Sequence, residues 1–246
     1  MSKPTYHAAV FGATSAIATE ILRAIVADRE CELLLIGRSQ EKLDQLAADL
    51  EARGASCKVQ VADLLNAETD WEGLLKATRW DLLLIAQGYL PNQEEALADG
   101  ATIARTVEVN FTSQAVMAAA GLRTLEAQKH GTLAVIGSVA GDRGRQSNFL
   151  YGATKAGIET LCRGMQHRLH GQSEVKVVLL KPGMTDTPMT ADLPKGPLFS
   201  SAQKVGAAAW KAIRKGKRVA YLPGWWALVM LIIRSVPRVV FHRTKL

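Results

Sequence analysis

The chain has 246 residues, enough for one large α/β domain with a full core or for two small ones. Hydrophobic residues make up 48% and charged residues 22%, which excludes a disordered chain. A net charge of +7 leaves phosphorylated ligands, anionic membrane surfaces and nucleic acid open as partners.

Short apolar runs alternate with helical spacing along the chain. Residues 7–12 read as a strand, and 16–28 as a helix with Ile17, Ile21, Leu22 and Ile25 on one side. A second strand follows at 31–38, then a helix at 39–54 with Ser39 as N-cap and Gly54 at its end. Further strands are expected at 57–64, 80–88, 131–141, 175–183 and 218–224, with long helices at 101–127 and 152–170. Unbroken Val, Leu and Ile runs indicate strands buried on both faces, as in a parallel sheet. The alternation predicts a doubly wound α/β fold with a seven-stranded parallel sheet. One domain, 1–222, carries it, followed by an appendage over 223–246.

Cys31, Cys57 and Cys162 are scattered and form no C-x-x-C, so neither a disulfide framework nor a zinc site is expected. A reducing cytoplasm suits them. The first residues, MSKPTYHAAVFGATSAIA, lack a signal-peptide apolar core behind a basic start. His7, His130, His167, His170 and His242 show no ligand spacing, so no metal is expected. The run RKGKR, 214–218, reads as a solvated turn.

Ligands of doubly wound sheets sit beyond the carboxyl ends of the strands. The first such turn, FGATSAIA (11–18), aims free N–H groups and the positive end of a helix at that region. Gly12 permits the sharp turn, and Thr14 and Ser15 add hydroxyl donors, which suits a pyrophosphate. An ordinary strand–helix turn reads the same way, because one glycine remains of the usual three. The second strand ends in IGRS (36–39), with Arg38 where an NAD-preferring site usually holds an acid. An arginine there pairs with a 2′-phosphate and favours NADP(H), unless it is a plain surface residue. Asp63 reads either as an acceptor for an adenine amino group or as an N-cap.

YGATK places Tyr151 and Lys155 on one face of a helix. A phenol ordinarily titrates near pH 10, and a neighbouring ammonium lowers that value. Ser138, in IGSVAG, ends the fifth strand where its hydroxyl can hold a carbonyl oxygen beside Tyr151.

These pieces together resemble the short-chain dehydrogenase/reductase family over nearly the whole length to about residue 222. The matches are FGATSAIA, ADL (62–64), AQG (86–88), VNFTS (109–113), GSVAG, YGATK and KPGMTDTPM (181–189). The resemblance implies a Rossmann-like carbonyl reductase with Tyr151 as general acid. Lys155 would lower its pKa and hold the nicotinamide ribose, Ser138 would orient the substrate oxygen, and Asn110 would anchor a relay water. Cofactor contacts would come from Gly12, Thr14, Ser15, Ala16, Ile17, Arg38, Asp63, Leu64, Gln87 and Gly88. Tyr151, Lys155, Pro182, Gly183, Thr185 and Thr187 would complete them, with Thr187 at the carboxamide. Ala16 and Ala18 depart from the family's glycines, Gln87 from its asparagine and Phe11 from its threonine. A non-catalytic dinucleotide sensor remains the alternative, motivated by the depleted glycines. The substrate is expected to be a ketone or secondary alcohol, with no nucleic-acid partner. Segment 189–203, rich in Pro and Gly, is expected to shape the pocket and to order on binding. The long helices resemble those through which family members form homodimers and homotetramers.

The end of the chain, PGWWALVMLIIRSVPRVVF (223–241), is almost wholly apolar and flanked by Arg234, Arg238, Arg243 and Lys245. A helix over Gly224–Ser235 would be about 18 Å long against roughly 30 Å of hydrocarbon, too short to span. With Trp225 and Trp226 at headgroup depth it reads as an interfacial anchor at the inner face of the membrane. Packing on another subunit, or closure over the pocket, explains the apolar run but not the basic flank. The turn and the tail together resemble the branch containing decaprenylphosphoryl-2-keto-ribose reductase, which acts on a lipid-linked keto-sugar.

Overall fold

The computed structural model describes residues 4–66, 68–171 and 174–244. The first half runs β1 (Tyr6–Phe11), α1 (Ala16–Asp28), β2 (Cys31–Gly37), α2 (Gln40–Glu51), β3 (Ser56–Val61), α3 (Trp71–Leu75) and β4 (Leu82–Ile85). It continues with α4 (Gln93–Ala98), α5 (Gly100–Val107), a π-helical turn (Glu108–Thr112) and α6 (Ser113–Gln128). Next come β5 (Thr132–Ile136), a 3₁₀ turn (Val139–Asp142), α7 (Phe149–Arg168), β6 (Lys176–Pro182), β7 (Thr185–Asp186) and β8 (Ser200–Ser201). The chain closes with α8 (Ala202–Arg214), β9 (Val219–Leu222), α9 (Trp226–Ser235) and α10 (Arg238–Phe241).

Seven strands form one parallel sheet in the order β3-β2-β1-β4-β5-β6-β9. The expected architecture is therefore the one observed. The order reverses between β1 and β4, which opens a crevice at their carboxyl ends. Because successive strand residues face opposite ways, the sheet feeds two cores. Val10, Leu35, Leu84 and Leu180 pack under Leu22 of α1, Leu43 of α2 and Ala209 of α8. Phe11, Ile85, Val135 and Leu179 pack under Met117 of α6 and Ile158 and Cys162 of α7. These side chains are almost fully buried, so truncating one such leucine to alanine costs about 2–5 kcal/mol.

Ser39 caps α2 as expected, accepting from the Lys42 N–H. The single helix expected over 101–127 is instead α5, the π turn and α6. The expected strands at 80–88 and 131–141 stop early, because the backbone beyond each leaves the sheet to build the crevice. Pro237 ends α9 and begins α10. Lys245, counted in the basic flank, lies outside the described residues.

Candidate active site

At Gly12 the backbone takes φ +75°, and a Cβ there would lie 2.6 Å from the Gln87 backbone nitrogen. Only glycine lets the end of β1 lie this close to the end of β4. The turn delivers Ser15 as N-cap of α1 with its hydroxyl unused by the helix. The first-turn N–H groups of α1 therefore keep their capacity for an anion.

A groove of about 290 Å³ opens here. Gly12, Thr14, Ser15, Ala16 and Ile17 form one wall. Gly37, the exposed Arg38 and the buried Leu64 form the side toward β2 and β3. Gln87 and Gly88 follow β4, and Thr187, Pro188 and Met189 close over the opening. Asp63 is not in the lining; its carboxylate accepts from the Leu65 N–H at 3.1 Å within its own turn. Pro182, Gly183 and Thr185 stand outside the lining too. Thr185 Oγ1 donates to the Gly183 carbonyl at 3.0 Å, and Gly183 backs onto Trp226. The covering segment has its own frame, because β7 pairs with β8 and Lys195 pairs with Asp186 at 2.7 Å.

Of the residues expected to carry the chemistry, Asn110 and Lys155 lie next to Gly88. A Cβ on Gly88 would lie 3.6 Å from Asn110 Oδ1 and 4.0 Å from Lys155 Nζ, so the buried lysine stands just behind the groove wall. Lys155 Nζ donates to the Ile136 carbonyl at 3.1 Å and sits 5.7 Å from the centre of the Tyr151 ring. Burial pushes its ammonium down to about 8. The Tyr151 phenol is pushed up to about 12 by burial, against a hydrogen bond from Ser138 that pulls the other way. This differs from the expected lowering by Lys155, because loss of water outweighs any stabilisation of the phenolate and Lys155 bonds a backbone carbonyl instead. Ser138 Oγ also accepts from the Ala140 N–H at 3.1 Å.

Asn110 lies in the π turn with its side chain bonded to the Tyr89 backbone at both ends of the amide. Oδ1 accepts from the Tyr89 N–H at 2.8 Å, and Nδ2 donates to the Tyr89 carbonyl at 2.7 Å. The amide thus fixes the chain leaving β4. Sequence reasoning missed Ser113 and Gln114, both buried. Gln114 Nε2 donates to the Gln87 carbonyl at 2.6 Å, and Gln87 Nε2 reaches Ser113 Oγ at 3.3 Å. Two polar residues directly ahead of the apolar run over 115–122 were the available signal. A buried ionic group was also missed: Lys181 at the end of β6 pairs with Asp142 and Glu159, and Tyr221 donates to Asp142 at 2.7 Å.

The tail covers the segment after Ser138. Trp226 and Met230 are buried against Val139. Arg143 Nη1 donates to the carbonyls of Ile233 and Val236, and its guanidinium lies 3.8 Å from the centre of the Phe241 ring. The far side of α9 stays exposed at Trp225, Leu228, Leu231 and Ile232. No helix among the described residues is long and apolar enough to cross a membrane.

A family model described as short chain dehydrogenase matches residues 6–197. The chain is 32% identical over 250 residues to an uncharacterized oxidoreductase of Streptomyces coelicolor, covering 98% of this chain and 97% of that one. An uncharacterized oxidoreductase of Mycobacterium tuberculosis is 31% identical over 241 residues, with 95% of each chain covered. Among solved structures, the short-chain dehydrogenase of Sphingobium yanoikuyae in complex with NADPH superposes with TM-score 0.78 at 23% identity, covering 95% of this chain and 97% of that one. A variant actinorhodin polyketide ketoreductase with NADPH gives TM-score 0.79 at 19% identity, covering 92% and 98%.

Proposed function

The chain belongs to the short-chain dehydrogenase family and is an NAD(P)-dependent oxidoreductase, and from that premise we propose that it is an NADPH-dependent reductase of a lipophilic ketone. The observation that carries the reading is the contact of Tyr151 with both Ser138 and Lys155, with Lys155 close to Gly88, which lines the groove that begins at Gly12.

The residues present fit a dinucleotide. The close approach at Gly12, the uncapped start of α1 and the unused Ser15 hydroxyl suit a pyrophosphate. Arg38 at the groove suits a 2′-phosphate. When bound, the cofactor supplies the hydride. Tyr151 donates its phenolic proton to the carbonyl oxygen as that oxygen gains charge. Its raised pKa keeps the proton in place at neutral pH. Ser138, within hydrogen-bond reach of the phenol, would turn its one hydroxyl proton to the same carbonyl oxygen as a second donor. Lys155, charged below about pH 8, would hold the ribose hydroxyls and favour the phenolate left behind. Asn110, held in the π turn with its amide on the Tyr89 backbone, would anchor a relay water.

The tail supports the finer reading of the substrate. Its outer face exposes Leu228 (63%), Leu231 (60%) and Val239 (70%), beside Arg234 and Arg238. An apolar patch with a basic edge suits an anionic membrane surface and a lipid-borne ketone such as a lipid-linked keto-sugar. The resemblance to the decaprenylphosphoryl-2-keto-ribose reductase branch points the same way.

The experiment is titration with NADPH and NADH followed by a ketone panel. NADPH should bind more tightly and be oxidised by at least one long-chain ketone. Equal or tighter NADH binding defeats the assignment of Arg38. Tight NADPH binding with no oxidation by any ketone makes the protein a sensor instead.

A further inference from the structure

A second cleft, of about 950 Å³, lies beyond the carboxyl edge of the sheet, between the segment that joins Ser138 to Tyr151 and the tail. Four arginines line it: Arg143 and Arg145 from that segment, and Arg234 and Arg238 from the tail. Asp142 is the one acidic residue in the lining among the described residues, and its charge is already matched by Lys181 and the Tyr221 hydroxyl. The cleft therefore carries several positive charges that no acidic side chain in its lining answers among the described residues.

Arg145 is the decisive residue. It is 9% exposed, and its Nε has no hydrogen-bond partner among the described residues. Its Nη2 reaches the sulfur of Met230 at 3.4 Å, a weak acceptor. A guanidinium stripped of water and left with donors unused is costly, unless an anion completes it. Burial disfavours its charge, and Asp142 is the group that opposes this. Arg143, by contrast, is spent on the wall, holding the end of α9 through the Ile233 and Val236 carbonyls. The cleft is thus built by one arginine and charged by the other three.

Arginines that line one cleft from two segments suit an oxyanion with several acceptor edges better than a single planar carboxylate. Resting on the reductase reading above, we propose that this cleft is a phosphate-binding subsite that takes the phosphate or phosphodiester group of the carbonyl substrate. The group would anchor one end of the substrate while the segment from Ser138 to Tyr151 presents the reacting end.

The test uses the full chain saturated with NADPH, so that the cofactor's own phosphate contacts are filled. Inorganic phosphate is titrated calorimetrically into the native protein, Arg145→Gln and Arg238→Gln. Binding should weaken by about tenfold or more in Arg145→Gln and by a smaller factor in Arg238→Gln, with NADPH affinity unchanged. Arg238 is exposed, so its variant keeps the test valid if Arg145→Gln fails to fold. Absence of phosphate binding by the native protein, or undiminished binding in the variants, overturns the proposal. The source of the phosphate is read with two further probes. Hexadecyl dihydroxyacetone phosphate should show a KM at least about tenfold below that of its dephosphorylated form, and Arg145→Gln should erase the difference. Equal KM values, with arginine-dependent flotation on vesicles of equal parts phosphatidylcholine and phosphatidylglycerol, would assign the cleft to lipid headgroups and overturn the substrate role. Phosphate binding is read without turnover. Reduction of the plain ketone without phosphate binding therefore sinks the cleft alone, whereas arginine-dependent phosphate binding without reduction of any ketone sinks the reductase reading.

Discussion

A Cβ on Gly183 would lie 1.9 Å from the indole of Trp226, so the ring occupies the volume that any side chain at residue 183 would need. Gly183 directly follows β6, and Trp226 begins α9. Gly183→Ala should push α9 off Val139, at an overpacking cost of about 1–3 kcal/mol. The melting temperature should fall, and protease should cut the tail faster. Unchanged melting and cleavage would show that the indole has room to move.

Tyr151→Phe keeps the ring and removes the proton. Ketone reduction should drop by about 10²–10⁴-fold while NADPH affinity stays close to native. Substantial residual turnover would remove Tyr151 from the role of general acid.

The pH profile should report Lys155. Burial favours the neutral amine, so the charge is present below about pH 8 and is lost as pH rises through that value. Tyr151, pushed up to about 12, keeps its proton across the same range. The kcat/KM for reduction should therefore fall above about pH 8. Arginine stays charged throughout, so Lys155→Arg should lose this limb even at a lower rate. A limb that persists in Lys155→Arg would belong to another group.

Arg38→Ala should weaken NADPH binding by about tenfold or more and leave NADH binding nearly unchanged, since a charge-assisted contact to a 2′-phosphate is absent from NADH. Equal losses for both cofactors would mean that Arg38 serves the fold or the pyrophosphate instead.

The tail's outer face can be tested without disturbing its inner one. Truncation after Tyr221 would remove the buried Trp226 and Met230 and uncover Val139. The exposed pair Leu228→Glu and Leu231→Glu avoids this. Flotation on anionic vesicles should be lost in the pair while NADPH binding persists. Native protein that stays unbound at low salt would end the membrane reading.

Much of the fold was legible because it depends on local pattern. Unbroken apolar runs give strands buried on both faces, and helical spacing gives their crossovers, so the seven strands of the main sheet followed, whereas the short β7 and β8 pair did not. Ser138, Tyr151 and Lys155 were legible because their spacing lies within one strand end and one helix turn. The Lys181, Asp142, Glu159 and Tyr221 group was not, since its members come from four separate elements and meet only in the fold. The state of Tyr151 was misjudged for a related reason. Its neighbour on the helix was visible in sequence, but the packing that strips water from the phenol was not. Asp63 matched a motif, yet its carboxylate is drawn to the nearest free N–H, at Leu65. The inner half of α9 gave no sign of its partner, because a glycine's missing side chain does not announce which indole will use the space.

The π turn at Glu108–Thr112 holds one residue more than an α-helix would need for the same span. Each helical residue turns the chain by about 100°, so that extra residue sets the direction in which all of α6 faces. Deleting one residue from the turn would restore an unbroken α-helix from α5 into α6, and local regularity would improve. The same deletion would swing Ser113, Gln114 and Met117 away from Gln87, and Asn110 away from Tyr89. The chain thus carries, in effect, a fixed insertion whose benefit lies wholly outside the helix that bears it. A more regular version of this segment would be the less competent one.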